Sequence, residues 1–367
     1  MAISIPLRDV AKTKDVGQVS QFTLMRRRFM QSKLSLFGIV ALLVLYAMAI
    51  LSSFLAPYDP AQPDPSNVMR PPTSLTINGS GVAVCGTTQV LNTHNLSYGY
   101  APDCSKAQPL QLLGQGYSYD LFGIIPTNRH LFESSGNQKA FLLGTDSEGR
   151  DLLARILAGA RISLSFGLVA VAISTILGAV LGTVSGYFGG PVDTLMQRLV
   201  ELLLSMPPLS LWMALTAAMP QTMPVTERYF LITLVLACIG WTALARQVRG
   251  KVMGYRSQDY ASAARLAGAS HWQIIMRHMM PNSFSHIIVT AALAIPAAIL
   301  AETSLSFLGF GMLPPAISWG VLLRDAQQIQ VVELHPWLLL PAALVIFAVT
   351  CFLLIGDGLR DAVDPYG

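Results

Sequence analysis

Charge is the scarcest ingredient of this sequence. Asp, Glu, Lys and Arg make up 12% of its 367 residues, against 53% for the apolar types. An ordinary globular chain carries about twice that share of charge, so a soluble surface cannot be built from what is here. Intrinsic disorder is excluded by the same shortage, because disordered chains are polar and charged. The net charge of +4 is small and dispersed, which gives no electrostatic footprint for nucleic acid. Catalytic signatures are missing too. There is no His-Glu-x-x-His, and Gly182-Thr-Val-Ser-Gly186 has the wrong spacing for a Gly-x-Ser-x-Gly elbow. Gly250-Lys251-Val252 lacks the upstream glycine and the Ser or Thr of a phosphate-binding loop. The chain is therefore expected to be no enzyme and to bind no cofactor of its own. With a mean hydropathy of +0.52, what remains is an all-α polytopic membrane protein.

What the sequence does have is long apolar runs. A spanning helix needs roughly 20 such residues. Six stretches qualify: Leu34–Tyr58, Ile162–Val192, the run from Glu201 to Met219–Met223, Arg228–Arg246, Arg277–Glu302 and Leu334–Gly356. The third contains Pro207 and Pro208 and the fifth Pro296, which predicts kinks. Positive charge sets the orientation. Residues 1–33 carry Arg8, Lys12, Lys14, Arg26, Arg27, Arg28 and Lys33 against Asp9 and Asp15. Residues 246–283 carry Arg246, Arg249, Lys251, Arg256, Arg265 and Arg277 against Asp259 alone. An even number of spans separates the two segments, so both lie on one side, the cytoplasmic one, and six spans return the C-terminus there. The first apolar run is too long for a typical signal-peptide core, so an uncleaved first span is expected.

Residues 57–160 form one long connection outside the membrane, rich in Pro, Gly, Asn and Ser. It predicts a small, loop-rich unit. Cys238 and Cys351 fall in spans and read as inert apolar residues. Cys85 and Cys104 share the external segment. An oxidising compartment allows a disulfide between them; free thiols, or a metal site with His94 or His130, are the other readings, the last without a ligand-pair spacing. At the end of this segment Asp146, Ser147 and Gly149 suggest a turn. Asp151–Arg161 reads as an amphipathic helix at the outer interface, before the second span.

The loop 246–283 is the most informative stretch. Its alanine-rich part from Asp259 favours a helix, Gly268 is a natural stop, and Ser270-His-Trp-Gln273 has capping-box spacing. Two short helices should meet at Gly268, with Pro281 marking a break before the fifth span. Ala263-Ala264, then Gly268, then the segment ending at Pro281 resembles the EAA loop of ABC importer permeases, most closely those of the oligopeptide/dipeptide/nickel permease family. Ser262 stands where that motif often starts with Glu. Further stretches resemble the same family: Leu143–Asp151 with Gly159-Ala-Arg-Ile-Ser163; Asp193, Arg198, Glu201 and Pro207; Glu302-Thr-Ser-Leu-Ser-Phe-Leu-Gly-Phe-Gly311; Gly356–Pro365; and the basic helix with Phe29 and Leu34. The resemblance covers residues 20–60 and 140–367 and leaves about 65–140 unaligned.

The resemblance implies a type I ABC importer permease fold of the C-type branch. Its parts would be a basic N-terminal segment (1–33), an extra first helix (34–56), the external insertion (57–160) and a five-helix core (161–367). It implies a coupling helix, formed by Asp259, Ala263, Ala264, Arg265, Gly268, Ala269, Ser270 and Pro281, seated on a cytoplasmic ATPase. The partners implied are a homologous second permease, two ATPase subunits or domains that bind ATP and Mg, and a periplasmic solute-binding protein, all at a bacterial inner membrane. Peptides are the first substrate class; nickel, glycans or opines, or a self-sufficient channel or secondary carrier, are alternatives. Among the charged residues, Glu302 reads either as pathway lining or as outer-gate structure. Arg198 and Glu201 have the spacing of a helical ion pair. Asp357 and Arg360 would anchor the last span, with a further contact to the coupling loop open. His271 and His278 read as a partner-facing or solvated face rather than a metal site.

Overall fold

A short basic helix, α1 (Gln21–Phe29), meets the first long one, α2 (Lys33–Ile50), at Ser32, whose hydroxyl accepts the Ser35 N–H as an N-cap. The computed structural model describes residues 21–78, 81–92, 97–134, 139–220 and 222–363. Arg8, Asp9, Lys12, Lys14, Asp15, His94 and the end of the chain from Asp364 lie outside them.

Beyond α2 and a helical turn, α3 (Ser52–Leu55), the long connection before the second span is β structure rather than the expected loops. β1 (Leu75–Asn78), β2 (Gly81–Asn92), β3 (Ser97–Leu112) and β6 (Phe132–Ser134) form an antiparallel sheet in the order β1-β2-β3-β6. β4 (Gln115–Leu121) and β5 (Ile125–Arg129) pair beside it. The strand formers are β-branched and aromatic residues such as Val82, Val84, Thr87, Tyr100, Tyr117 and Tyr119. Interspersed Gly, Pro and Asn hide their alternation in the sequence. Cys85 and Cys104 are joined as a disulfide across β2 and β3.

The helical part is organised around α4 (Leu152–Phe188), 37 residues capped by Asp151, whose carboxylate accepts the Ala154 N–H at 3.0 Å. The expected interfacial helix over 151–161 is therefore the first three turns of this spanning helix. Leu152, Ile156 and Ala160 are fully buried against α2 and later elements instead of facing a membrane surface. α5 (Gly190–Leu204) and α6 (Pro208–Ala217) meet at 83°. The break falls at Pro207-Pro208, where a helix cannot continue. Next come α7 (Val225–Tyr255), α8 (Asp259–Leu266), α9 (His271–Ile274), a π-helical turn (Ile275–Met279) and α10 (Met280–Phe307). No break occurs at Pro281, contrary to expectation. The Met280 N–H reaches back to Ile275 O, and the widened π turn accommodates the proline without stopping the helix. Finally α11 (Trp319–Leu322), α12 (Ile329–Leu334) and α13 (Leu340–Val363) complete the described chain. Five helical stretches are long and apolar enough to cross a membrane, and a sixth if the bent α5–α6 pair counts as one span.

Helix α4 packs on α7 along Gly178, Gly182 and Gly186, four residues apart. A Cβ at Gly182 would stand 2.5 Å from Ala245 O, so only glycine permits this approach. α10 lies against α4 and α13, and α13 against α2. Helix α1 returns to the same end as the start of α10, with Ser285 Oγ and Met25 Sδ 3.9 Å apart.

Candidate functional site

At the α1 end of the bundle, α7 runs out into α8 and α9, which project as one unit. The turn between them is fully determined by the backbone. Gly268 has φ +80°, a conformation that favours glycine. Its N–H bonds Arg265 O, and the Ala269 N–H bonds Ala264 O, both at 3.1 Å. This is a Schellman closure of α8. One residue later the capping box forms. Gln273 N–H donates to Ser270 Oγ at 3.3 Å, and Ser270 N–H to Gln273 Oε1 at 2.9 Å. A helix stop and a helix start thus occupy three consecutive residues, which leaves the unit little freedom to bend.

The inner side of this unit is apolar and closed. Ala261, Ile274, Ile275 and Met279 are buried against Val248, Val252 and Tyr187. Its outer side carries large apolar groups in the open: Leu266 is 90% exposed and Trp272 60%. Both are large apolar side chains left open to solvent on the projecting unit. Polar ties brace the stalk. Arg265 Nη2 donates to Arg256 O at 2.6 Å, and Arg256 Nη1 to the carbonyls of Gly186 and Tyr187 at 3.4 Å each. Tyr187 OH lies 2.9 Å from His271 Nδ1. Arg249 clasps Asp193 with Nε and Nη2, the second at 2.5 Å, and Ser185 Oγ donates to the same carboxylate at 2.6 Å. The ends of α4, α5 and α7 are thereby fixed to the projecting unit.

Of the expected coupling residues, Asp259, Ala263, Ala264, Arg265, Gly268, Ala269 and Ser270 come together in this unit, and Pro281 does not; it opens α10. Arg198 and Glu201 pair at 3.0 Å on an exposed face of α5. Asp357 and Arg360 sit exposed on the last turns of α13. The Asp193–Arg249 clasp joins residues far apart in the sequence and is not visible in helical spacing, which shows only the Arg198–Glu201 pair. The glycine stripe at 178, 182 and 186 is a further feature outside the sequence expectations, although its period of four is visible in the sequence.

Glu302 lies at the far end of α10, with no surface exposed. It accepts from Ser306 Oγ at 2.8 Å and Ser163 Oγ at 3.4 Å. Those hydroxyls in turn accept the N–H groups of Met312 (2.9 Å) and Trp319 (3.0 Å). The carboxylate thus organises the return of the chain from α10 to α11. His130, weighed for a metal, sits between the carbonyls of Ser53 (2.8 Å) and Tyr117 (3.0 Å), where it ties α3 to β4.

Comparison with known proteins bears on this geometry. Residues 178–366 match the family described as binding-protein-dependent transport system inner membrane component. Residues 20–72 match the N-terminal TM domain of oligopeptide transport permease C. The oligopeptide transport system permease protein OppC of Haemophilus influenzae is 42% identical over 224 residues, which are 60% of this chain and 69% of that protein. The dipeptide transport system permease protein DppC of Bacillus subtilis is 39% identical over 223 residues, 60% of this chain and 68% of its own length. The glutathione transport system permease protein GsiD of Pectobacterium atrosepticum is 37% identical over 232 residues, 63% and 75% of the two chains.

Proposed function

Because the chain belongs to the family of binding-protein-dependent transport system inner membrane components, in its oligopeptide/dipeptide C-type branch, we propose that it is the permease half of an ATP-driven peptide importer. It would form the path with a homologous second permease and receive its substrate from a periplasmic solute-binding protein. ATP and Mg would be held by two ATPase subunits on the cytoplasmic side. The observation that carries the reading is the rigid α8–α9 unit, with Leu266 and Trp272 exposed on its outer side. Peptides are favoured as substrate because the similar permeases are named for oligopeptide, dipeptide and glutathione transport.

The mechanism follows from stiffness. Approach of two ATPase subunits would displace the α8–α9 unit. The Schellman turn and capping box oppose bending within it, so the displacement passes to its anchors. Arg256 transfers it to the end of α4, the Arg249–Asp193 clasp to α5, and the continuous π turn to α10. The α4–α7 pair, closed by glycines, then moves as one body, and the spans rock between outward- and inward-open arrangements. Nucleotide drives this only because the ATPase–loop contact differs in strength between the two. On this reading residues 246–283 and α1 face the cytoplasm at the inner membrane. Residues 57–160 stand outside, residues 161–367 supply the five-span core, and Glu302 holds the outer loop rather than touching substrate.

The test is co-purification and ATPase assay of the tagged chain from detergent-solubilised membranes, with Gly268→Val as the probe. A Cβ at Gly268 meets nothing within 4 Å, so the variant carries only backbone strain, about 1–2 kcal/mol. Partners should still co-purify with wild type and substrate should stimulate ATP hydrolysis, while Gly268→Val loses most of that stimulation. A chain that purifies alone and transports without ATP refutes the reading.

A further inference from the structure

We propose that the cavity between α7, α10 and α13, at the α8–α9 end of the spans, holds the headgroup of an anionic phospholipid whose acyl chains run along α13. The inference goes beyond the importer reading and needs only that these helices cross a membrane, for which all three are long and apolar enough. The cavity measures about 810 Å³. Its mouth is cationic. Lys251 reaches it from the last turns of α7 and Arg360 from the last turns of α13. Neither has a salt-bridge partner among the described residues. No Asp or Glu is among the described residues that line the cavity. Asn282 and Ser285, in the first turns of α10, add neutral donors at the same end. Helix α1 reaches this mouth too: Met25 Sδ lies 3.9 Å from Ser285 Oγ, and the exposed Arg26 and Arg27 follow Met25.

Cations without a carboxylate select an anion, and two observations select a lipid among anions. The first is the change of lining along α10. It is polar at Asn282 and Ser285 and apolar at Leu293 and Ala294, the change from Asn282 to Leu293 taking about 17 Å of helix rise. Between these levels Thr290 Oγ1 donates to Gln247 Oε1 of α7 at 3.4 Å. Basic groups at the mouth with apolar walls further in are the pattern of a headgroup pocket between spanning helices. The second is the face of α13 that carries Arg360. Ile346, Leu353 and Arg360 recur every seven residues and so share that face. Ile346 is 66% exposed and Leu353 42%. Arg360 thus stands at the foot of an open apolar stripe about 21 Å long. Acyl chains cover such a stripe, whereas a free phosphate or a carboxylate leaves it bare. The phosphate of the lipid takes charge-assisted hydrogen bonds from the Lys251 ammonium and the Arg360 guanidinium, and its chains lie along Leu353 and Ile346.

The experiment uses the full chain as it purifies from membranes in mild detergent, stripped of lipid. It is titrated with phosphatidylglycerol, with zwitterionic phosphatidylcholine, and with glycerol phosphate, which is a headgroup without chains. Melting temperature is read for wild type and for Lys251→Gln/Arg360→Gln. Phosphatidylglycerol should raise it in wild type at concentrations where the other two have no effect. The double variant should need about tenfold more phosphatidylglycerol for the same rise, and the charge-keeping Lys251→Arg/Arg360→Lys should follow the wild-type curve. In native mass spectra of unstripped protein, phosphatidylglycerol adducts seen on wild type should be lost from the double variant. Equal responses of wild type and double variant to phosphatidylglycerol overturn the proposal. So does an equal response of wild type to phosphatidylcholine. Stabilisation by glycerol phosphate to the same extent makes the cavity a site for a soluble anion and overturns it as well. None of these outcomes touches the importer reading. If the double variant does not accumulate, Arg360→Gln alone is read the same way.

Discussion

Two buried carboxyl groups show how a single residue can be tested in this protein. Glu302 has no exposed surface and is satisfied by hydroxyls from two elements. Removal of the side chain would leave Ser163 and Ser306 without their acceptor and loosen the backbone they hold. Glu302→Ala should therefore cost about 2–4 kcal/mol, read as a lower melting temperature in detergent, whereas Glu302→Gln, which keeps an acceptor oxygen in place, should lose less than half of that. Equal losses would mean that the network is incidental. Asp151 is the opposite case. One oxygen caps α4 and the other is buried without a partner among the described residues. Burial pushes its carboxyl up to about 7; the N–H groups of Ala154 and Leu153 pull it back, and the Asp146 charge adds to the rise. The folded state thus holds the proton to higher pH than the unfolded chain, whose value is about 4. The stability contributed by the neutral carboxyl is full below that value and is lost as pH rises towards 7. Asp151→Asn keeps the cap and abolishes the titration. The melting temperature of wild type, taken relative to that of the variant, should fall between about pH 4 and pH 7 and level off above; a constant difference across the range would mean that Asp151 does not titrate in this way.

At the scale of elements, the test falls on the clasp between α5 and α7. Asp193 and Arg249 are both mostly buried and meet through two hydrogen bonds, so each single removal strands a charge. Asp193→Asn and Arg249→Gln should each cost about 2 kcal/mol, and the double variant much less than their sum. On the proposed mechanism the same cycle in substrate-stimulated ATP hydrolysis should show coupling, because that mechanism passes displacement from α8 to α5 through the clasp. Additive losses in both readouts would remove it from that route. Why this pair was not legible in the sequence is a matter of range. Arg198 and Glu201 pair over three residues, as helical spacing predicts, but nothing in one sequence joins residues 56 apart. Local chemistry was legible wherever it was strong: the spans from their apolar runs, the stop at Gly268, the box at Ser270–Gln273 and the break at Pro207-Pro208. It failed where neighbours overrode it. Leu152 and Ile156 look like a surface helix until α2 covers them, and Pro281 looks like a break until a π turn makes room.

The whole molecule divides into a helical bundle and the sheet of residues 75–134, and the joint between them decides how far one can be disturbed without the other. The joint is stitched by backbone bonds that do not involve the sheet's interior. Leu131 N–H donates to Phe54 O at 2.8 Å, Asp64 N–H to Glu148 O at 3.0 Å and Met69 N–H to Asp146 O at 3.0 Å. Arg150 and Arg155 converge on Asp146 at 2.8 and 3.1 Å, and Lys139 pairs with Asp64 at 2.7 Å. Burial alone would raise the Asp64 carboxyl, yet the hydrogen bonds from Lys139, Ser66 and Asn67 hold it well below the usual range. Its contribution is present above the ordinary carboxylate value and survives mild acid. The Cys85–Cys104 bridge lies inside the sheet, away from these stitches, and spans 19 positions. Loss of such a bridge costs about 3 kcal/mol in the chain-entropy account, a large share of what a few strands can supply. Cys85→Ser/Cys104→Ser should therefore open residues 75–134 to limited proteolysis. The helices should remain protected, and substrate-stimulated ATP hydrolysis should persist, because neither α4 nor the α8–α9 unit touches the bridge. Proteolysis that spreads into α4 would show that the sheet and the bundle fold as one; a sheet that stays resistant would show that the joint, not the bridge, holds it.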